Sequence, residues 1–283
     1  MVALPETRYD PGMSAPVESY RVEPDDPRAP PEDVWERMSE EERARVVASL
    51  PSAFPASEAA PPEGDAHFDA KARTRQTLGS FFQRLGRKVY FACELPVYYP
   101  GERMFAPDIL AVLDVETHQR MSWVVSAEKK GLDLAIEVYV AGNRRKDLEG
   151  NVEKYARLGI REYFIFDRGM LRLTGYRLAD KGRVYRRIVP QGGFYASEVL
   201  GLELCVQDER LRFFSGTAPL LEADEMIVEL RRMMEQVEAH REGEARQREE
   251  AERKLAEEER LRIEAEQKLA EALAEIERLR RER

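Results

Sequence analysis

The sequence predicts a mixed α/β domain followed by a long coiled-coil helix, on three observations. Apolar runs at 88–95, 108–115 and 132–140 read as strands, the last two apolar at most positions. Amphipathic helical stretches at 68–86 and 144–158 bracket them. From Leu220 onward the composition turns to Glu, Arg, Ala and Lys, with an apolar residue every three or four positions.

The elements follow in order. Residues 1–64 read as a Pro-rich acidic arm, because eleven of the sixteen prolines fall within 1–62 and such sequence buries little surface. One island interrupts it. Ser39 followed by Glu42 fits a capping box, which predicts a short helix from Glu40 to Leu50, docked through Trp35, Val46, Val47 and Leu50. Pro51 to Gly64 reads as linker. The domain proper is assigned to 65–218. It opens with a helix carrying Phe68, Leu78, Phe81, Phe82 and Leu85 and ending at Gly86. Three strands with short connections predict an antiparallel meander. The helix at 144–158, with Leu148, Val152, Tyr155 and Ala156 on one face, carries a crossover to a parallel strand at 162–167. Further strands are expected at 170–177 and 183–189. The last segment, 219–283, has Met226, Leu230, Met233 and Val237 on one seam. Leu255, Leu269 and Ile276 keep a seven-residue phase, with Ala265, Ala272 and Leu279 on the partner positions and Gly243 as a candidate register shift. A homodimer through this helix is the expectation; a solitary helix held by local ion pairs is the alternative.

The net charge of −9 argues at first against a polyanionic partner. The acidity lies in the flanks, however. Residues 67–215 carry 25 basic and 19 acidic side chains, so the central domain is itself basic. Cys93 and Cys205 are far apart and form no ligand spacing; Cys93 is expected in the core. No apolar stretch is long enough to span a bilayer and the first residues lack signal-peptide character, so a cytoplasmic protein without membrane association is expected.

The chemistry is carried by two carboxylates. Asp108 and Glu137 sit in or beside runs that are otherwise buried strands. Buried carboxylates repel unless a proton or cation lies between them, and a divalent metal is the simplest such cation. Metal-assisted cleavage of a phosphodiester follows as the functional expectation. The competing reading has Asp108 capping a turn and Glu137 paired with an arginine. Arg144, Arg145 and Lys146 form a basic cluster suited to phosphates, or simply a solvated helix start. Glu94, in a predicted strand, is a candidate third acid. Lys129 and Lys130 are expected to be exposed in a loop. His67, His118 and His240 show no ligand spacing, so no zinc site is expected. No Gly-rich phosphate loop is present, so ATP is not expected.

An ordered set of segments carries a family resemblance over about residues 65–215: Pro107-Asp108-Ile109-Leu110-Ala111-Val112, Ile136-Glu137-Val138, Arg144-Arg145-Lys146-Asp147, and Tyr155 through Asp167. Together they resemble the Uma-two family of restriction endonucleases, within the PD-(D/E)XK nuclease superfamily. The resemblance implies a restriction-endonuclease-like αβββαβ core, a Mg²⁺-dependent endonuclease (Mn²⁺ as an alternative ion) and DNA as substrate. It implies that Asp108, Glu137 and the carbonyl of Val138 hold the ion while a lysine neutralises phosphoryl charge. The chain departs from the pattern at that lysine. Tyr139 stands at the E-X-K position and Asn151 at the D-x-x-x-K position on the following helix. Either the role has moved, to Lys146 or Lys154, or the site is impaired and the protein is a nucleic-acid-binding or assembly module on a nuclease scaffold.

Overall fold

The computed structural model describes residues 20–53, 64–140, 145–179 and 182–281; side chains at 145–149, 277, 279 and 281 lie outside that description, Leu279 of the predicted seam among them. The chain forms two compact units, one ending at Glu222 and one starting at Ala223.

The first unit begins with two short helices, α1 (Glu32–Arg37) and α2 (Glu40–Ser49). The Ser39–Glu42 capping box forms in both directions. Trp35, Met38 and Val46 make a small core of their own, and Leu50 packs with Tyr98, Met104 and Val124 of the main body. Helix α3 (Asp65–Arg84) follows, then β1 (Val89–Ala92), β2 (Val97–Tyr98), β3 (Ile109–Leu113), β4 (Trp123–Val124), the single turn α4 (Val125–Glu128) and β5 (Leu134–Tyr139). Helix α5 (Arg145–Arg157) crosses over to β6 (Glu162–Asp167), followed by β7 (Arg172–Leu178) and β8 (Tyr185–Arg187). These strands make a six-stranded sheet in the order β1-β3-β5-β6-β7-β8. The β1–β3 and β3–β5 pairings are antiparallel and β5–β6 is parallel, as the meander and crossover require. Stripped of the small β2–β4 pair and of α4, the order is αβββαβ.

A second antiparallel sheet, absent from the sequence reading, is built from β9 (Tyr195–Ser197), β10 (Leu202–Gln207), β11 (Arg210–Ser215) and β12 (Ala218–Pro219). Its Leu202, Leu204, Leu211 and Phe213 share one core with Leu78 and Phe82 of α3 and with Ile109, Ile136 and Phe164 of the main sheet. The opposite face of that sheet packs Leu110, Ala135 and Tyr163 against Tyr155 of α5 and Trp123 of β4. The main sheet is therefore covered on both sides, which is why its central strands are apolar throughout rather than alternating.

Leu220 and Glu222 belong to this unit. Leu220 joins the core, and Glu222 is ion-paired with Arg73, Arg210 and Arg212. The second unit is helix α6 (Ala223–Arg281). It runs uninterrupted through Gly243, so that residue marks no break. Its surface carries pairs one turn apart, such as Arg246–Glu242, Arg253–Glu249 and Lys268–Glu264, while Leu230, Met233 and Val237 are exposed. No helix among the described residues is long and apolar enough to cross a membrane.

Candidate active site

The register Ile109↔Ile136 places Asp108 directly across from Glu137, at one end of β3 and within β5. Both are buried, with relative exposures of 7% and 9%. Each carboxylate accepts a hydrogen bond from the other's strand. The Asp108 amide donates to Glu137 Oε2 (3.3 Å), and the Val138 amide donates to Asp108 Oδ2 (2.8 Å). The Tyr155 hydroxyl, reaching in from α5, donates to Glu137 Oε1 (2.8 Å). The two acids thus lie on the same side of the sheet and within mutual reach.

Their electrostatics differ. Burial alone would push Asp108 up, but hydrogen bonds from His67 and the Val138 amide hold its carboxyl below the ordinary aspartate range. Glu137 is raised well above its ordinary value, first by burial and then by the negative charge of Asp108, with the Tyr155 hydroxyl opposing. The two acids are therefore shifted in opposite directions, Asp108 toward its charged form and Glu137 toward its neutral one. That is the pattern of a carboxylate pair built around a positive charge, and its hard oxygen donors suit Mg²⁺ or Mn²⁺.

Helix α3 supplies groups that the sequence reading missed. His67 Nε2 lies 3.2 Å from Asp108 Oδ2. Lys71, one turn on, lies 3.9 Å from Asp108 Oδ1 and 2.5 Å from Glu94 Oε1. Both are buried, at 4% and 6%. Ligand atoms of His67, Glu94 and Asp108 lie within 4.8 Å of one another. His67 therefore does sit in an acidic cluster, although its sequence spacing gave no hint. Glu94 occupies a bend after β1 with φ 51°, not a strand, and its amide donates to the carbonyl of Pro107. The available signal was helical spacing. Residues 67, 71, 74, 78 and 82 form one buried stripe, polar at the site and apolar beyond it. Phe68 and Leu85, expected on the apolar face, are exposed.

The other predicted residues are placed as follows. Lys154 lies over the Phe105 ring, 4.1 Å from its centroid, with Glu102, Arg157 and Arg103 as its charged neighbours; burial is the main cause of its lowered pKa. Arg144 lies outside the described residues; Arg145 and Lys146 begin α5, but their side chains are outside the description. Val138 contributes its amide to Asp108. Lys130 is not a loop lysine in free solvent: it is half-buried, its ammonium donating to the Leu113 carbonyl and paired with Asp133 at 3.6 Å. Cys93 is half-buried and packs against the edge of the main core. A cavity of about 610 Å³ opens beyond Tyr139, lined also by Ile165, Thr174, Tyr176 and Arg187. Neither carboxylate lines it.

The family model described as "Putative restriction endonuclease", Uma2, matches residues 57–207, a span that holds both acids and every strand from β1 to β10. The chain belongs to the Uma2 (Uma-two) family. A crystal structure of a protein from Anabaena variabilis, titled "a putative nuclease belonging to DUF820", is similar at 14% identity and a TM-score of 0.42, over 53% of this chain and 82% of that one. No curated protein matches. The Uma2 assignment supports a nuclease function on the αβββαβ core described above.

Proposed function

We propose that this Uma2 protein is a divalent-metal-dependent endonuclease acting on DNA in the cytoplasm. Asp108, Glu137 and the Val138 carbonyl would hold Mg²⁺ or Mn²⁺. The observation that carries the reading is the cross-strand pair of buried acids, each accepting a hydrogen bond from the other strand's backbone, with the Glu137 carboxyl raised by burial and by its neighbour. The ion would polarise the scissile phosphate and acidify an attacking water. The residues do the rest. Asp108, held ionised by His67 and the Val138 amide, fixes one oxygen ligand in place. Tyr155 orients Glu137 from α5. In hydrolysis the water oxygen bonds to phosphorus and the bond from phosphorus to the departing sugar oxygen breaks. The water loses one proton and the departing oxygen gains one. The basic character of residues 67–215 favours a polyanion, and α6 would pair two copies so that two sites face two strands.

The test is cleavage of plasmid and single-stranded DNA with Mg²⁺ or Mn²⁺ by wild type, Asp108→Ala and Glu137→Ala. Wild type should cut, and each variant should lose about a hundredfold or more. Activity surviving both substitutions would remove the site assignment. A second reading, a nucleic-acid-binding module on an impaired scaffold, is favoured by Tyr139 at the E-X-K position and by Lys154 lying on Phe105. Wild type that binds DNA but cuts under no metal condition would establish it.

A further inference from the structure

We propose that Lys71 of helix α3 supplies the cation that neutralises the scissile phosphate, and that Glu94 is a displaceable partner which the phosphate replaces. This rests on the nuclease reading. It assigns the lysine role to an element that precedes both acids in the chain.

The site needs such a group. Two carboxylates and a phosphodiester are all anionic, and the charge growing on the phosphoryl oxygens must be met by a positioned donor. The E-X-K position is Tyr139, the helix position is Asn151, Lys154 lies on Phe105, and the Lys146 side chain is outside the described residues. Lys71 is where the described structure puts a buried ammonium next to the acids, 3.9 Å from Asp108 Oδ1. Helix α3 thereby addresses both oxygens of Asp108, His67 at Oδ2 and Lys71 at Oδ1, four residues and one turn apart.

The environment of Lys71 argues for a working group over a structural ion pair. A lysine that is 93% buried at its side chain is normally matched by a buried acid. The buried acid here, Asp108, stands off at 3.9 Å, and the closer partner is Glu94 at 2.5 Å, whose side chain is 63% exposed and stands on a residue in the left-handed region, at the solvent end of the pair. The ammonium is held inside while its counter-charge reaches in from outside. A phosphate oxygen arriving from solvent meets Glu94 first and exchanges for it one for one, so Lys71 is never left without an anion. A lysine is suited to this because it is a compact charge with rotatable donors on a flexible stem.

The experiment is single-turnover cleavage of duplex DNA by the full chain with Mg²⁺, alongside Mn²⁺ affinity measured without DNA. Lys71→Ala should lower the cleavage rate about a hundredfold or more while KM and Mn²⁺ affinity move by less than about threefold. Lys71→Arg should restore much of that rate. Should Lys71→Ala not fold, Lys71→Met retains the stem and carries the same comparison. Glu94→Gln, which releases the ammonium, should lower KM for DNA several-fold without weakening Mn²⁺. Cleavage by Lys71→Ala or Lys71→Met within about threefold of wild type overturns the assignment and leaves the nuclease reading standing. So does a tenfold loss of Mn²⁺ affinity in Glu94→Gln, which would make Glu94 an ion ligand with His67 and Asp108. Wild type that cleaves nothing overturns both.

Discussion

Glu137 is the residue whose chemistry is most exposed to measurement. Its carboxyl binds a proton more tightly folded than unfolded, because burial and Asp108 both disfavour its charge. A raised carboxyl pKa gives stability that is lost as pH climbs from the ordinary value of 4.5 through the elevated one. The metal-free protein should therefore lose thermal stability over that range, and Glu137→Gln should abolish the loss. Asp108 acts in the opposite sense: its lowered pKa gives stability present above the ordinary value of 3.8 and lost as pH falls through the depressed one. A divalent ion must displace the Glu137 proton, so its affinity should rise with pH by up to about tenfold per unit in the window where that proton is bound. A thermal-shift series at several pH values with and without Mn²⁺ reads both effects. A stabilisation by Mn²⁺ that does not change with pH would mean that the ion displaces no proton from Glu137. The sequence made Asp108 and Glu137 visible because charge inside an apolar run is a two-residue anomaly. It hid Lys71 and His67, because a charged residue on a helix is ordinary and only the register reveals that this one is buried.

Helices and strands were legible to the extent that their patterns are local. The Ser39–Glu42 cap, the polar–apolar stripe of α3 and the apolar runs of β3, β5 and β6 are each read from a dozen residues or fewer. The second sheet was not: β9 and β12 are only three and two residues long, and β10 and β11, six residues each, are buried through the core they share with α3 and the main sheet. The little β2–β4 pair is invisible for a similar reason. It is parallel, two residues long on each strand, and exists through Val97, Tyr98, Trp123 and Val124 being buried by other elements. Helix α3 does two jobs with one face, since Leu78 and Phe82 bind both sheets while His67 and Lys71 address Asp108. Leu78→Ala, at 0% exposure, should cost about 2–5 kcal/mol. It should also loosen the site, seen as lost cleavage at temperatures below the unfolding transition. Ser39→Ala in α2 should cost only about 1 kcal/mol and leave cleavage alone. Equal stability effects of the two in chemical denaturation would contradict the central place given to α3.

At the scale of the molecule, a nuclease-fold unit ends at Glu222 and a 59-residue helix follows. Truncation belongs at Ala223, because Leu220 and Glu222 are part of the core and its ion pairs. The shortened chain should fold and cut DNA. Sedimentation should find the full chain self-associated and the truncated one monomeric, and a truncated chain that remains dimeric would place the interface on the first unit. The exposed apolar residues of α6 support pairing and its one-turn ion pairs support a helix that stands alone. That balance is why the sequence left both open. The proposed activity depends on one ion shared by two acids. Titration of metal-free protein with Mn²⁺, followed by electron paramagnetic resonance, tests it most directly in wild type, Asp108→Asn and Glu137→Gln. One ion bound by wild type, with affinity weakened about tenfold or more in each variant, is the predicted result. Binding of that ion by both variants with wild-type affinity would contradict it.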